Sequence, residues 1–492
     1  MSKLVALVLL SLAAAQFPPA VPHLTSFNSS FTFTPEQVSS LEIDANLTIT
    51  LQNIIRFENT QLAFGGPHHD AFYTPPPLNT TTPPPPGTLL SLQAPTDYSA
   101  YTIPPLTSLS RLLYTTTTYN GTIIPTSAFL LLPYLPRPSP PNSKSAGKIP
   151  LVLWTHGTSG FFPSATPSSH RGLWYETSAV YPLVEAGYAV FAPDYAGLGV
   201  GFDWDGNRIR HQYHAAPAQV GDVLYGLLAV REAFPGLLSE EFVVVGHSQG
   251  GGVAWAVAEA LADEKGKGKE KWEGVKGGYR GTVAVSPTTD AFNGDFAPET
   301  FIAPTVGQAV ATVFPGFTQD KWLTELGVNR WGVVEAVEGG IAVVQRLFFG
   351  QEGVLKKGWN ETWEAKAFRK LMTVGGKKFA GPLLIVQGDE DVYVPYEGTR
   401  IAVEKTWEVD GKKGDLEFYV AEGVGHVPAL HAGQVYWLKW IGERFDGKGV
   451  RKGGFRTDVK GLLPKEWYQK FKYAFPLWTA LPEFQYETAA AL

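Results

Sequence analysis

A serine flanked by glycines lies where a buried strand is predicted to meet a helix. Residues 246–250 read Gly-His-Ser-Gln-Gly, and the apolar run 242–245 before them predicts a short buried strand. The small-residue run 251–258 after them predicts the start of a helix. A strand-to-helix turn of this kind is strained, and the glycines leave room for it, so the hydroxyl group is exposed above the sheet. The pattern favours Ser248 as a nucleophile over an ordinary turn residue.

A nucleophilic serine needs a histidine base and an acid that orients the base, and a serine on such a turn precedes both of them in the chain. The acid is expected just after the next-to-last strand, which we predict at 383–386. Three acids follow that strand, Asp389, Glu390 and Asp391. The spacing Gly, two residues, acid, two residues, Val-Pro favours Asp391. Asp389 and Glu390 remain alternatives as the orienting acid.

The base is expected after the last strand, which we predict at 416–420. Of the 10 histidines, only His426 and His431 follow Asp391. His426 lies in a glycine-containing loop and is favoured, whereas His431 is already near the start of the last predicted helix. His156 precedes the serine and breaks the expected order, so we predict a structural hydrogen-bonding role for it.

Two backbone N–H groups are predicted to bind the negative oxygen that develops during acyl transfer. The first belongs to Gln249, at the N-terminus of the helix that follows the serine. The second is expected from the glycine-containing turn 155–160, which reads Thr-His-Gly-Thr-Ser-Gly. Thr158 is the candidate there, with Gly157 and Ser159 as alternatives.

The elements that must position these residues follow an alternating pattern. From residue 149 onward, short apolar runs alternate with longer helical segments, which predicts an α/β fold with a mostly parallel sheet and helices on both faces. We expect the core to comprise residues 88–287 and 380–446, with an inserted helical cap at 288–379. Within the cap, the apolar spacing over 333–348 predicts one amphipathic helix.

Composition narrows the function classes. The chain has 492 residues, 44% hydrophobic and 17% charged, so it can bury a sizeable core. Its net charge of −6 supplies no basic field for a polyanion, which argues against nucleic acid as a partner. The absence of cysteine excludes disulfides, thiolate metal sites and a cysteine nucleophile.

The two ends of the chain differ from the core in composition. Residues 1–15 contain one lysine and an apolar run and end in three consecutive alanines, which is typical of a secretory signal peptide, so we expect a secreted, extracellular protein. Residues 16–87 are rich in Ser, Thr and Pro and predict a solvated, extended arm. Residues 447–492 carry enough aromatic side chains that we expect this tail to pack on the core. Glycosylation sequons begin at Asn28, Asn46, Asn79, Asn120 and Asn360.

Four strings together resemble the fungal secretory lipase family of the α/β-hydrolase superfamily. They are His-Gly-Thr-Ser-Gly at 156–160, Asp-Tyr-Ala-Gly-Leu-Gly at 194–199, the stretch 211–222 with its Ala-Pro-Ala, and Gly-His-Ser-Gln-Gly-Gly-Gly at 246–252. The resemblance implies an α/β-hydrolase fold with a helical cap and a triad of Ser248, Asp391 and His426. It also implies small-molecule or lipid ester substrates, transient contact with a lipid interface, and no cofactor.

The sequence therefore predicts a secreted serine carboxylic-ester hydrolase, a lipase or esterase, that works through an acyl-enzyme. An acetyl or small-ester esterase acting on a secondary metabolite is the nearest alternative. More distant alternatives are a proline-type serine peptidase on the same fold and a non-catalytic binding protein.

Overall fold

The computed structural model describes residues 31–78, 80–140, 145–262, 267–292, 299–409, 411 and 415–468. Within these residues, ten strands form one sheet in the order β1-β2-β3-β5-β4-β6-β7-β8-β9-β10. The strands are β1 (Leu89–Gln93), β2 (Ser108–Thr117), β3 (Ile123–Leu132), β4 (Ile149–Thr155), β5 (Ala189–Pro193), β6 (Leu238–His247), β7 (Tyr279–Val285), β8 (Leu383–Gly388), β9 (Leu416–Ala421) and β10 (Phe455–Val459). Strands β1, β2, β3 and β5 pair antiparallel, and all pairs from β5 to β10 are parallel.

Helices cover both faces of this sheet. In the described chain they are α1 (Pro35–Leu41), α2 (Ala45–Thr60), α3 (Val180–Glu185), α4 (Ala216–Ala233), α5 (Gln249–Ala262), α6 (Lys267–Lys276), α7 (Glu299–Val313), α8 (Glu325–Ala336), α9 (Ile341–Phe348), α10 (Trp363–Met372), α11 (Tyr396–Val409) and α12 (Pro428–Phe445). Helices α4 and α5 pack on one face of the sheet, and α3 and α12 pack on the other. Strands β4 and β8 are buried along their whole length, which explains their continuous apolar sequences. The predicted fold class is confirmed.

The region predicted as a cap lies between β7 and β8 and contains α7 to α10. The prediction of one helix over 333–348 is wrong, because α8 ends at Ala336 and α9 begins at Ile341. Between the two helices the backbone of Glu338 is left-handed, with φ 47°. Two glycines follow Glu338, and glycine is unfavourable inside a helix. The helix therefore breaks here, although the apolar spacing of the sequence continues across the break.

The prediction of a solvated arm is wrong for much of its described part. Helix α2 buries Leu51, Ile54 and Phe57 in one apolar cluster with residues of α7 to α9. Asp44 caps this helix by accepting a 2.7 Å hydrogen bond from the N–H of Leu47. The Ser and Thr content concealed an amphipathic helix, because only one face of it needs to be apolar.

Between β4 and β5, the described chain is α-helical only over Val180–Glu185. Before this helix, Leu173, Trp174 and Tyr175 form a left-handed turn, with φ of 57°, 50° and 72°. Such a run is costly for residues with side chains, so tertiary contacts must stabilise it.

The tail prediction is only partly covered by the described residues. Strand β10 extends the sheet by pairing parallel to β9. Phe455, the first residue of this strand, is partly buried, whereas Trp467 and Tyr468 are 72% and 43% exposed. The tail aromatics after Tyr468, like the predicted signal peptide, lie outside the described residues. No helix in the described part of the chain is long and apolar enough to cross a membrane.

Candidate active site

Ser248 lies on the sharp turn between the end of β6 and the start of α5, and its φ is 58°. The flanking glycines are required by close packing. A Cβ atom added at Gly246 would lie 2.1 Å from Oγ1 of Thr155, and one at Gly250 would lie 2.0 Å from the carbonyl oxygen of Thr155. The N–H of Ser248 donates to the carbonyl of Val285 at 3.0 Å, which fixes the turn against β7. The serine is partly exposed, as a nucleophile must be.

Asp391 and His426 meet beyond the ends of β8 and β9. Nδ1 of His426 donates a 2.7 Å hydrogen bond to Oδ2 of Asp391. Oδ1 of Asp391 accepts two 2.9 Å bonds from the N–H groups of Tyr393 and Val394, and Oδ2 accepts a third bond from Nε2 of Gln387 at 3.2 Å. The Asp391 side chain is fully buried, so the carboxylate is rigidly held and well satisfied.

The alternative acids and the alternative base have other partners. Asp389 accepts a 2.6 Å bond from the N–H of Gly423 through Oδ1. Glu390 is exposed and forms a 3.0 Å ion pair with Lys465. Nε2 of His431 lies 3.2 Å from Oγ of Ser178, and burial lowers its pKa. The structure therefore brings Asp391 to His426, and places the alternatives in other contacts.

His247 joins the serine turn to the loop of His426. Its Nε2 donates to the carbonyl oxygen of His426 at 3.2 Å, so its Nδ1 accepts the 2.6 Å bond from the hydroxyl of Tyr175. The rings of His247 and His426 are 4.5 Å apart. Burial lowers the pKa of His247 well below its usual value, which keeps the ring neutral in this network. Ser248 is the next residue in the chain, so this contact ties the serine turn to the loop of His426.

Neither His247 nor Tyr175, which are joined by a hydrogen bond, was predicted from the sequence as part of the site. His247 lies inside the Gly-His-Ser-Gln-Gly string, and its position beside the serine was the available signal. Tyr175 lies 72 residues away from His247 and carries no local signal. Gln387 was missed as well, although it comes directly before the Gly-Asp-Glu-Asp string at the end of β8.

The predicted oxyanion donors belong to two different elements, the loop after β4 and the start of α5. A Cβ atom added at Gly157 would come 3.1 Å from Cβ of Ser248 and 1.9 Å from the hydroxyl oxygen of Tyr175, so the loop after β4 approaches the serine closely. Thr158 follows on this loop, and its Oγ1 lies 2.8 Å from the hydroxyl of Tyr213. Gln249 is the first residue of α5, where no earlier helical carbonyl can accept from its N–H.

His156 is buried and bonded to the backbone. Its ring nitrogens lie 2.8 Å and 3.2 Å from the carbonyl oxygens of Gly157 and Asp194. Burial lowers its pKa to about 4, so the ring is neutral near pH 7. These contacts are those of a residue that supports the loop after β4.

The cap contacts both sides of the site. The N–H of Ile341, at the start of α9, donates to the carbonyl of Ser159 at 3.1 Å. Phe349, just after α9, packs on Tyr393 with ring centroids 5.8 Å apart, and Tyr393 packs on His426 at 5.5 Å. Among the described residues, no group of His, Asp and Glu is arranged to hold a metal ion. The arrangement can therefore perform nucleophilic acyl transfer beneath a largely apolar cover.

The chain is similar in sequence to known hydrolases. Residues 151–436 match the family described as "Alpha/beta hydrolase family". Lipase 4 of Candida albicans is 24% identical over 298 residues, which are 56% of this chain and 60% of that lipase. The matched segment thus spans less than two thirds of the length of that relative.

Solved structures show the same fold at low identity. Candida antarctica lipase A superposes with a TM-score of 0.61 at 17% identity, covering 81% of this chain and 90% of the lipase. The rice cell wall degrading esterase LipA from Xanthomonas oryzae, in a ligand-bound form, superposes with a TM-score of 0.51 at 16% identity, covering 73% of this chain and 97% of the esterase. At such identities the likeness is one of fold.

Proposed function

The chain belongs to the alpha/beta hydrolase family, and on that premise we propose that it is a lipase-like carboxylic-ester hydrolase with Ser248, His426 and Asp391 as its catalytic residues. The similarity to Lipase 4 of Candida albicans confirms the resemblance to fungal lipases that the sequence predicts, and lipase A shares the fold. The observation that carries the proposal is the 2.7 Å bond from His426 to a buried Asp391. The turn that holds Ser248 at φ 58° is connected to the loop of His426 through His247.

In the first half of the reaction, Oγ of Ser248 attacks the ester carbonyl carbon, and Nε2 of His426 takes the hydroxyl proton. Asp391 holds Nδ1–H, which selects the tautomer with a free Nε2 and stabilises the imidazolium. The carbonyl oxygen becomes negatively charged and accepts from the N–H groups of Gln249 and Thr158. The C–O bond to the alcohol then breaks, and His426 returns its proton to the departing alcohol.

In the second half, water replaces the alcohol. His426 removes a proton from water, the hydroxide oxygen attacks the acyl carbon, and the same two N–H groups bind the oxyanion. The bond to Oγ of Ser248 breaks as Oγ regains a proton from His426. The products are a carboxylic acid, an alcohol and the unchanged enzyme.

An ester with an apolar acyl chain fits the surroundings of the site. Phe349 and Tyr393 connect the apolar cluster of the cap to His426, so apolar surface continues to the reacting groups. We include small-molecule and lipid esters as substrates, transient contact with a lipid interface, and secretion directed by the predicted signal in residues 1–15.

Hydrolysis of p-nitrophenyl esters by the purified protein tests this proposal. We expect saturable release of p-nitrophenol from at least one ester between acetyl and octanoyl. A rate equal to the buffer background for every ester in that series would contradict the proposal. Cleavage confined to prolyl peptide substrates would instead favour the peptidase alternative.

A further inference from the structure

Three consecutive residues contact three different elements: His211 contacts Gln249 after the serine, Gln212 contacts the cap, and Tyr213 contacts the loop after β4. We propose that His211 and Tyr213 are positioning residues. They hold the two oxyanion-binding N–H groups, those of Gln249 and Thr158, at fixed positions relative to each other. The inference rests on the proposed function and assigns a role to the 211–222 string, which the triad does not use.

His211 holds the side chain of Gln249. Nδ1 of His211 lies 3.1 Å from the carbonyl oxygen of Ala196, which can only accept, so Nδ1 carries the proton. Nε2 of His211 is then an acceptor, and it receives the 3.2 Å bond from Nε2 of Gln249. Burial lowers the pKa of His211 to about 3, so the ring stays neutral and keeps this acceptor. The side chain of the first residue of α5 is thereby fixed.

Tyr213 holds the loop after β4, which carries Thr158. Its hydroxyl lies 2.8 Å from Oγ1 of Thr158, and both side chains are buried. Its ring packs edge-on against Phe161 of the same loop, with centroids 5.0 Å apart. Tyr213 therefore contacts the loop after β4 at two points.

The segment that carries both side chains is itself anchored. A Cβ atom at Gly197 would lie 2.3 Å from the backbone nitrogen of His211, so the 194–199 string packs directly against it. Gln212 accepts a 2.7 Å bond from the N–H of Tyr119 and donates a 2.9 Å bond to Oγ1 of Thr312 in α7. The segment 211–213 thus links the start of α5, the loop after β4 and the cap.

This arrangement matters because the two N–H groups lie on different elements. An oxyanion hole works through preorganisation, since donors must already point at the position where the charge develops. A small displacement of one donor weakens its bond in the transition state more than it weakens ground-state binding. Loss of either contact should therefore lower kcat more than it raises KM.

A double-mutant cycle on Tyr213 and Thr158 tests the inference. Tyr213→Phe removes the hydroxyl and keeps the ring, Thr158→Val removes the partner hydroxyl, and Thr158→Ser restores one. Tyr279→Phe is the matched control, because the hydroxyl of Tyr279 likewise lies 2.8 Å from the hydroxyl of a buried threonine, Thr282, in β7. Each variant is assayed for kcat, KM and Tm with the best p-nitrophenyl ester.

We expect Tyr213→Phe to lower kcat about tenfold, less than the hundredfold or greater loss that follows removal of an oxyanion donor itself, with KM changed less than threefold. The double variant should be no slower than the slower single variant, Thr158→Ser should recover most of the activity, and Tyr279→Phe should keep kcat within twofold. A kcat of Tyr213→Phe within twofold of wild type, or multiplying effects in the double variant, would overturn the inference.

His211 gives an independent arm. His211→Phe keeps an aromatic ring near Tyr195 and removes both the acceptor for Gln249 and the donor to the carbonyl of Ala196. We expect kcat again to fall about tenfold with little change in KM. If kcat falls no more than twofold while Tm drops, His211 is structural only and its part of the inference is wrong. Wild-type protein that hydrolyses no ester contradicts the proposed function itself, whereas an active wild type with unaffected variants contradicts the positioning role alone.

Discussion

Tyr175 donates a 2.6 Å hydrogen bond to Nδ1 of His247, the residue directly before the candidate nucleophile. Tyr175 comes from the left-handed turn at 173–175, and its hydroxyl also lies against Gly157 of the loop after β4. His247 in turn donates to the carbonyl of His426. Through His247, the hydroxyl of Tyr175 thus connects the loop after β4, the turn of Ser248 and the loop of His426, and these contacts stabilise the strained turn of Ser248.

Tyr175→Phe should destabilise the fold and slow the reaction. The change leaves Nδ1 of His247 buried without its donor, which costs about 1–3 kcal/mol in the free energy of unfolding. We expect the midpoint of unfolding to shift to a lower urea concentration. We also expect a lower kcat, because the turn of Ser248 and the loop after β4 lose a common contact.

Tyr181→Phe is the matched control for this prediction. Tyr181 donates at 2.8 Å to the carbonyl of Thr102, in a contact that includes none of the proposed catalytic residues. It should lose stability without loss of kcat. Equal kcat values for the two variants would show that Tyr175 has no influence on the site.

Asp391→Asn should be far more damaging than Asp389→Asn. An amide at 391 cannot hold Nδ1–H of His426 as the carboxylate does, and loss of the correct tautomer lowers kcat by about 10⁴ in a triad of this kind. Asp389 is exposed and accepts from Gly423, so its replacement should change kcat less than tenfold. Initial rates for both variants decide the matter, and the reverse ranking would move the orienting acid to Asp389.

Acyl chain length should separate a lipase from a small-ester esterase. Each CH₂ group transferred from water contributes about 0.8 kcal/mol, so every two-carbon extension that fits can improve binding about tenfold. We expect kcat/KM to rise from acetyl to at least octanoyl p-nitrophenyl esters. A maximum at acetyl, with octanoyl at least tenfold poorer, would favour the esterase alternative.

Glu58 should make stability fall as pH rises. It lies in α2, accepts a 3.0 Å bond from the N–H of Gly340, and has its pKa raised by burial from 4.5 to about 8. Between these two values the folded chain keeps a proton that the unfolded chain has released, so the free energy of unfolding decreases with increasing pH.

Glu58→Gln cannot ionise and lacks this dependence. The stability of the variant relative to wild type should therefore increase between pH 5 and pH 8, by more than about 1.4 kcal/mol, the free energy that corresponds to one pKa unit. Urea unfolding of both proteins at the two pH values measures the difference. A difference that is the same at both values would show that Glu58 is charged in the folded state.

Local patterns were enough to predict the fold class, because apolar strands alternate with helices along the core. They also located Ser248, Asp391 and His426 at the ends of strands, and the carboxyl ends of parallel strands meet at one edge of the sheet. The spacing of the sequence favoured Asp391 as the acid that contacts His426. It left Asp389 and Glu390 open, and contacts such as the ion pair of Glu390 with Lys465 distinguish them from Asp391.

Other features depend on contacts between distant residues. The left-handed turn at 173–175 is stabilised by partners such as His247, which no local pattern reveals. The break between α8 and α9 falls at Glu338, whose carboxylate accepts from the N–H and hydroxyl of Ser164, 174 residues earlier in the chain. Burial of α2 depends on the cap in the same way, so composition alone predicted a solvated arm.

The most direct test of the account is the turnover of Ser248→Ala with the best p-nitrophenyl ester. The hydroxyl is the group that bonds covalently to the acyl carbon, so we predict a fall in kcat of about 10⁴ or more, with a near-normal circular dichroism spectrum. In parallel, a fluorophosphonate should label wild-type protein on the peptide that contains Ser248 and should not label the variant. A variant that retains a tenth of wild-type turnover would contradict the assignment of Ser248 as the nucleophile.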